Sequence, residues 1–290
     1  MHTSITGHTQ LTGLLGSPVA HSISPRMHNE SFKYWDLDCV YLCFDVTEQT
    51  LPQAVEGLKA IGIRGFNLTM PCKNRMVGLC DQLSPAARLM NAVNTVVNDN
   101  GHLTGHNTDG IGFVRALQDA GHEIAGKTMT LLGAGGASTA ICVQAAIDGA
   151  REIHVFARST SRFWDRMQDL AAELGRSYPC TVTLTDQADQ AQLAKALEKS
   201  QLLVNGTSVG MAPHAEDSLI TDKNLFHPDL IAFDAIYDPR QTRLLGLAAS
   251  AGCPTCNGLY MLLYQGAEAF SLWTGKEMPV EHIKSCCFQL

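Results

Sequence analysis

The stretch Lys127-Thr-Met-Thr-Leu-Leu-Gly-Ala-Gly-Gly-Ala-Ser138 constrains the fold more than any other part of the chain. Met129 to Leu132 reads as a short buried strand that runs into a glycine turn. A helix carrying Ala140, Val143 and Ile147 follows. Gly133 and Gly135 stand where a strand-turn-helix calls for residues without a Cβ. Gly135 would let the backbone approach a pyrophosphate, which then rests on the unpaired N–H groups and the positive dipole end of the helix. Ser138 takes the place of the usual third glycine and is small enough for close helix–strand packing. A plain βα turn can share this spelling, so the position of the run is the more informative fact. A dinucleotide-binding domain usually begins with this unit, yet here it begins at residue 127. A part of domain size precedes it, and that part is expected to hold the substrate.

A chain of 290 residues has room for two domains, each with a core of ordinary size. Hydrophobic content of 45% with 17% charged residues describes a globular chain, not a disordered one. A net charge of −7 argues against nucleic-acid binding, and no Lys/Arg cluster offsets it. No apolar run approaches the roughly 20 residues of a membrane helix. The start, Met1-His-Thr-Ser-Ile-Thr-Gly-His8, has no basic segment followed by an apolar one, so no secretory signal is expected and the location is read as cytoplasmic.

The ten cysteines make no framework. Cys39, Cys43, Cys142 and Cys180 lie in apolar stretches and read as small core residues. Cys253-Pro-Thr-Cys256 is a lone CxxC pair without the further ligands a zinc site needs. His102 and His106 are spaced i, i+4, but Thr104-Gly105 between them speaks against a helix. No metal site is expected.

In chain order, residues 11–16 read as a strand, broken by Ser17-Pro18. The loop His21-Ser-Ile-Ser-Pro25 leads into a helix from Arg26 to about Trp35, with Ser24 as its expected N-cap. Ser22 has no such capping role and points to a polyol or carboxylate contact. A strand over Cys39 to Val46, a helix over Leu51 to Ile61 and a strand over Arg64 to Met70 give βαβαβ order, hence a small α/β domain with parallel pairing at its centre. Lys73 follows the C-terminal end of that last strand, where such sheets bind ligands. A short helix over Ser84 to Met90 precedes a hairpin that turns at Asp99-Asn-Gly101. The hairpin delivers Asn107-Thr-Asp-Gly110 to the start of a helix, where Asp109 could serve simply as the N-cap. After the glycine unit the chain alternates strand and helix. Strands end at Arg158, at Asn205-Gly-Thr-Ser208 and at Asp238-Pro239. A long helix from Leu259 to Thr274 is apolar nearly all round and should be buried.

Taken together, Ser17 to Pro25, Asn67 to Lys73, Asn91 to Thr95, Gly105 to Gly110, Gly133 to Ser138, Asn205 to Ser208, Tyr237 to Thr242 and Gln265 to Phe270 make the chain similar to the shikimate dehydrogenase family over nearly its whole length. Residues Gly126 to Ala140 and the ending Trp273-Thr-Gly-Lys276 resemble its bifunctional quinate/shikimate branch most. The resemblance implies an α/β fold: an N-terminal substrate domain, residues 1–110 completed by 259–290, and a Rossmann-type NAD(P)-binding domain, residues 111–258. It implies reversible oxidation of shikimate to 3-dehydroshikimate, on the route to aromatic amino acids. Lys73 and Asp109 match the family's catalytic pair. Ser22, Ser24, Asn67, Thr69, Asn94, Tyr237 and Gln265 match positions that hold the substrate. Gly133, Ala134, Gly135, Gly136, Ala137, Ser138, Arg158, Ser159, Asn205, Thr207, Gly258 and Met261 are the implied cofactor positions. Tyr260 stands where a glycine is common beside the nicotinamide.

The chemistry is consistent with these residue types. Oxidising an alcohol requires removal of its hydroxyl proton. Loss of water around an amine weakens its hold on a proton, and a neighbouring carboxylate strengthens it. Lys73 and Asp109 are therefore expected to share the proton as a coupled pair. After the second strand of the glycine unit comes Ala157-Arg158-Ser159-Thr160, then Ser161-Arg162. Two arginines and no acid favour a 2′-phosphate, so NADP is the expected cofactor, with NAD as the alternative. Cys72, beside Lys73, is expected to make the enzyme sensitive to thiol alkylation. Three rival readings remain. One is another two-domain dehydrogenase with a different substrate, which would not explain the Ser22/Ser24 loop and Gln265 together. The second is a quinate-preferring enzyme. The third is a catalytically silent sensor, which would be expected to lack Lys73 or Asp109 and to carry a DNA-binding region. The partner is a small molecule, and the family's range allows a monomer or a homodimer.

Overall fold

The computed structural model describes residues 5–288. The first four residues of the N-terminal run read above for a signal lie outside the described residues, as do the last two of the chain. Contacts divide the chain into two compact units, one running to Thr108 and resuming at Gln265, the other from Asp109 to Tyr264.

The first unit is built on β1 (Gln10–Gly16), α1 (Ser24–Tyr34), β2 (Cys39–Asp45), α2 (Leu51–Ala60) and β3 (Gly65–Leu68). The two-residue β4 (Gln82–Leu83), α3 (Pro85–Met90), β5 (Thr95–Asp99) and β6 (His102–His106) follow. The sheet order is β2-β1-β3-β5-β6-β4. β1 pairs in parallel with both β2 and β3, and β3 pairs antiparallel with β5. β2 is an edge strand with a mixed burial pattern. Cys39 and Cys43 are accordingly half-buried, not core residues as their apolar neighbours implied. Leu15, Phe66, Val96, Leu51 and Val55 are among the side chains that close the core between sheet and helices.

The second unit runs α4 (Asp109–Asp119), β7 (Thr128–Leu132), α5 (Gly136–Ile147), β8 (Glu152–Ala157), α6 (Trp164–Ser177) and β9 (Thr181–Asp186). It continues through α7 (Gln190–Lys199), β10 (Leu202–Asn205), β11 (Ile231–Asp234), α8 (Arg243–Ser250) and β12 (Thr255–Cys256). Every pair is parallel, in the order β12-β11-β10-β7-β8-β9. All five residues of β7 are buried, as expected of a central strand with helices on both faces. The chain returns to the first unit within α9 (Leu259–Thr274), no residue of which is exposed, and ends with α10 (Val280–Cys287). Among the described residues, no helix is long and apolar enough to cross a membrane.

His28, on α1, sits fully buried in an aromatic cage. Its ring stacks on Tyr41 at 4.5 Å between centroids and lies 5.2 Å from Trp273. Neither ring nitrogen has a hydrogen-bond partner. Burial holds the imidazole at about 3, below its ordinary 6.5. The folded state thus binds fewer protons than the unfolded one between these values. The stability this confers is complete above pH 6.5 and is lost as pH falls toward 3. From pH 7 to pH 5 the loss from this one residue is about 2 kcal/mol. Urea denaturation at both pH values should show His28→Phe losing correspondingly less than the wild type; an equal loss refutes the assignment.

Candidate active site

The first cluster of candidate residues forms at the C-terminal ends of β1 and β3, which run side by side in register from Thr12↔Gly65 to Leu15↔Leu68. β1 leads into the serine loop and β3 into the turn before Lys73. The Ser17 N–H donates to Met70 O at 3.0 Å, tying the two segments together. Gly16 makes this crossing possible, since a Cβ there would meet Thr69 Cγ2 and Met70 O.

Ser24 is not the N-cap read from the sequence. Ser22 Oγ accepts the Ser24 N–H at 3.2 Å, closing a local turn. Ser24 is the first residue of α1, and the cap position, Ile23, offers no side-chain bond. The Ser24 hydroxyl instead hydrogen-bonds to the Tyr41 phenol, which burial pushes well above its usual value and this bond draws back. Tyr41 Oη donates to Asn67 Oδ1 at 2.8 Å. Asn67 Nδ2 donates to Asn94 O at 3.1 Å and to Thr95 Oγ1 at 3.0 Å. Both Asn67 amide hydrogens are thus committed, leaving one Oδ1 lone pair for any ligand. Asn94, only 2% exposed, accepts the Thr108 N–H at 2.8 Å and reaches Gln265 Oε1 at 3.4 Å. Gln265 is placed by the packing of α9 on α1, where a Cβ on Gly266 would run into Met27.

Lys73 is half-buried, and its backbone carbonyl accepts the Val93 N–H at 2.9 Å, one residue from Asn94. Ser24, Asn67, Asn94 and Gln265 therefore form one hydrogen-bonded chain, with Ser22, Thr69 and Lys73 on the segments that adjoin it. Tyr41, Thr95 and Thr108 belong to the same chain and were not singled out. A buried tyrosine must place its hydroxyl somewhere, and that was the available signal for Tyr41. Cys72 corrects an expectation. It is fully buried, its thiol donates to Val46 O at 3.3 Å, and burial, then Glu48, raises it above its usual value. The segment is a turn, with Cys72 N–H bonded to Thr69 O, so adjacency to Lys73 gives no accessible thiol.

In the second unit, successive strands are added outward in one direction through β9, and β10 then starts on the other side of β7. This is the switch point where open α/β sheets bind ligands. Gly133 has φ +103°, and a Cβ there would meet Thr207 Cγ2 at 2.6 Å and Ser138 Oγ at 2.7 Å. Gly135 differs from the expectation: its φ of −76° is open to any residue, and a Cβ there or on Gly136 would meet nothing within 4 Å. Internal packing therefore requires Gly133. Gly135 and Gly136 leave the first amides of α5 approachable, which fits a pyrophosphate. Ser138, fully buried, donates to Gly206 O at 3.0 Å and fastens the glycine turn to the β10 loop; Ala134 is buried and Ala137 half-buried.

Asn205 and Thr207 serve each other. Thr207 Oγ1 donates to Asn205 Oδ1 at 2.7 Å, while Asn205 Nδ2 donates to Asp234 Oδ1 at 3.0 Å and Val209 O at 3.2 Å. Asp234 is buried, raised by desolvation, and also accepts from Thr242 Oγ1 at 2.7 Å. Gly258 lies against the Ala235 carbonyl, where any Cβ would overlap. Met261 is buried on α9, and Tyr237, after β11, is 44% exposed. Arg158 and Ser159 are exposed at the end of β8, while Arg162 stacks over Phe163 at 4.7 Å. No acid follows β8 in the sequence, as read above, but Asp186, at the end of β9, pairs with Ala157 across the ladder. The acid arrives from the next strand, out of reach of a local reading. Among the described residues, no group of three or more His, Cys, Asp or Glu is placed to hold a metal ion.

The doubly wound sheet with its glycine turn, and the polar chain beside a lysine, define the class as a two-unit α/β dehydrogenase. Residues 14–96 match the shikimate dehydrogenase substrate binding domain, and residues 258–285 the shikimate 5′-dehydrogenase C-terminal domain. A shikimate dehydrogenase (NADP(+)) of Listeria innocua is 49% identical over 284 residues, covering 98% of this chain and 97% of the relative. A quinate/shikimate dehydrogenase of Escherichia coli is 46% identical over 280 residues, covering 97% of each. The crystal structure of shikimate 5-dehydrogenase from Listeria monocytogenes, in complex with shikimate and NAD, has 49% identity and a TM-score of 0.94 over 97% of both chains. The chain belongs to the shikimate dehydrogenase family.

Proposed function

We propose that this protein catalyses the reversible NAD(P)-linked oxidation of shikimate to 3-dehydroshikimate, with NADP favoured. The observation that carries the reading is the hydrogen-bonded chain Ser24–Tyr41–Asn67–Asn94–Gln265 beside Lys73, in a chain nearly half identical to shikimate dehydrogenases over its whole length. Residues 1–110 with 259–290 act as the substrate domain, and residues 111–258 bind the dinucleotide. Lys73 takes the proton from the alcohol and returns it in the reverse direction, with Asp109 as its partner. Ser22, Ser24, Thr69, Asn94, Tyr237 and Gln265 hold the hydroxyls and carboxylate of the ring acid. Asn67 chiefly orients its neighbours. The dinucleotide, when bound, accepts the hydride. A site that pairs many polar groups rejects analogues that leave one unpaired. The ten free thiols accord with a cytoplasmic location.

Quinate is the second substrate to consider, because a relative 46% identical carries both activities in its name. An absorbance assay at 340 nm over shikimate and quinate, each with NADP⁺ and NAD⁺, tests the reading. Shikimate with NADP⁺ should give the highest kcat/KM. Absence of shikimate turnover with either cofactor refutes it.

A further inference from the structure

Discrimination between phosphorylated and unphosphorylated adenosine ribose falls to the residues at the end of the second strand of such a sheet. Here that strand is β8, and Arg158 with Ser159 follow it. Arg158 supplies a positive charge that favours a 2′-phosphate. Asp186 supplies the opposite charge from the neighbouring strand. In the parallel β8–β9 register, Ala157 pairs with Asp186, and the Gln187 N–H donates to Ala157 O at 2.9 Å. The carboxylate is therefore held one residue from Arg158 along the ladder. Asp186 Oδ1 accepts the Ala188 N–H at 3.0 Å. The Ala188 N–H, and then Ser159, hold the carboxyl below the usual carboxylate range, so it is ionised at neutral pH.

A 2′-phosphate arriving at this loop would meet Arg158 on one side and a negative charge on the other. A 2′-hydroxyl meets no such repulsion and can donate to the carboxylate. We infer that Asp186 is a specificity-determining residue: through its charge, set beside the end of β8, it weakens the preference for the phosphorylated dinucleotide and keeps the unphosphorylated one in use. This rests on the reading of the second unit as the dinucleotide-binding part.

The test uses two soluble fragments of the cofactors, adenosine 2′,5′-bisphosphate and adenosine 5′-monophosphate, titrated calorimetrically into the full-length protein. Asp186→Asn removes the charge and keeps an acceptor oxygen for Ala188 and Ser159. It should raise the affinity ratio of the bisphosphate to the monophosphate about five-fold, the scale of one screened like-charge contact. The kcat/KM ratio of NADP⁺ to NAD⁺ should rise with it. Ser159→Ala, which keeps the carboxylate, should not raise either ratio. If both fragments bind and Asp186→Asn leaves their ratio unchanged or lower, the inference fails and the dinucleotide reading stands. If neither fragment binds the wild type, both fall together.

Discussion

Replacing Lys73 by alanine is expected to lower kcat for shikimate oxidation about a thousandfold, within the range for loss of a positioned proton-transfer group. That corresponds to roughly 4 kcal/mol of transition-state stabilisation. The loss should fall on kcat more than on KM, because the amine acts on the proton that moves in the transition state. The fold should survive. The Lys73 carbonyl receives the Val93 N–H whatever the side chain. The core contact of the turn is made by Cys72 instead. Lys73→Met keeps the aliphatic length without the amine and should behave like the alanine variant. Initial rates at saturating shikimate, with thermal melts as a control on folding, decide the matter. A kcat within a few-fold of wild type in either variant would falsify the role.

The residues that could be read from the sequence are those whose job is local. Gly133, with its positive φ, and the helix that follows β7 are written into twelve consecutive residues, so the dinucleotide unit could be placed before any coordinates. The alternation of strands and helices gave the element order for the same reason. Two-residue strands such as β4 and β12 carry no periodicity of their own and exist only through pairing with β6 and β11. Long-range partnerships were equally hidden. Tyr41 looks like any aromatic residue of a strand until Asn67, 26 positions away, is seen to accept its hydroxyl. Asp186 reads as a turn residue until β9 pairs with β8 and sets it opposite Ala157. Ser22 and Ser24 show a subtler limit. Either can bond a nearby backbone amide, and here it is Ser22 that accepts the Ser24 N–H.

The role of Asp109 is separable from that of a helix start, and the separation is measurable. Asp109 is the first residue of α4, where a negative charge interacts favourably with the helix dipole by about 0.3–1 kcal/mol. The next residue, Gly110, brings α4 so close to α5 that a Cβ would meet Ala140 O and Gln144 Cβ. That packing holds the backbone of Asp109 against the helix that carries the glycine turn, independent of its carboxylate. Asp109→Asn keeps the shape and removes the charge. If the carboxylate only favours the helix, the variant melts slightly earlier and turns over normally. If it shares the alcohol proton with Lys73, kcat falls about a hundredfold. The double variant with Lys73→Met then distinguishes partnership from two independent contributions. Groups that act on one proton fail together, so the double variant should be no worse than the poorer single one by more than a few-fold. Losses that multiply, to about 10⁵-fold, would mean that the lysine and the aspartate serve different steps.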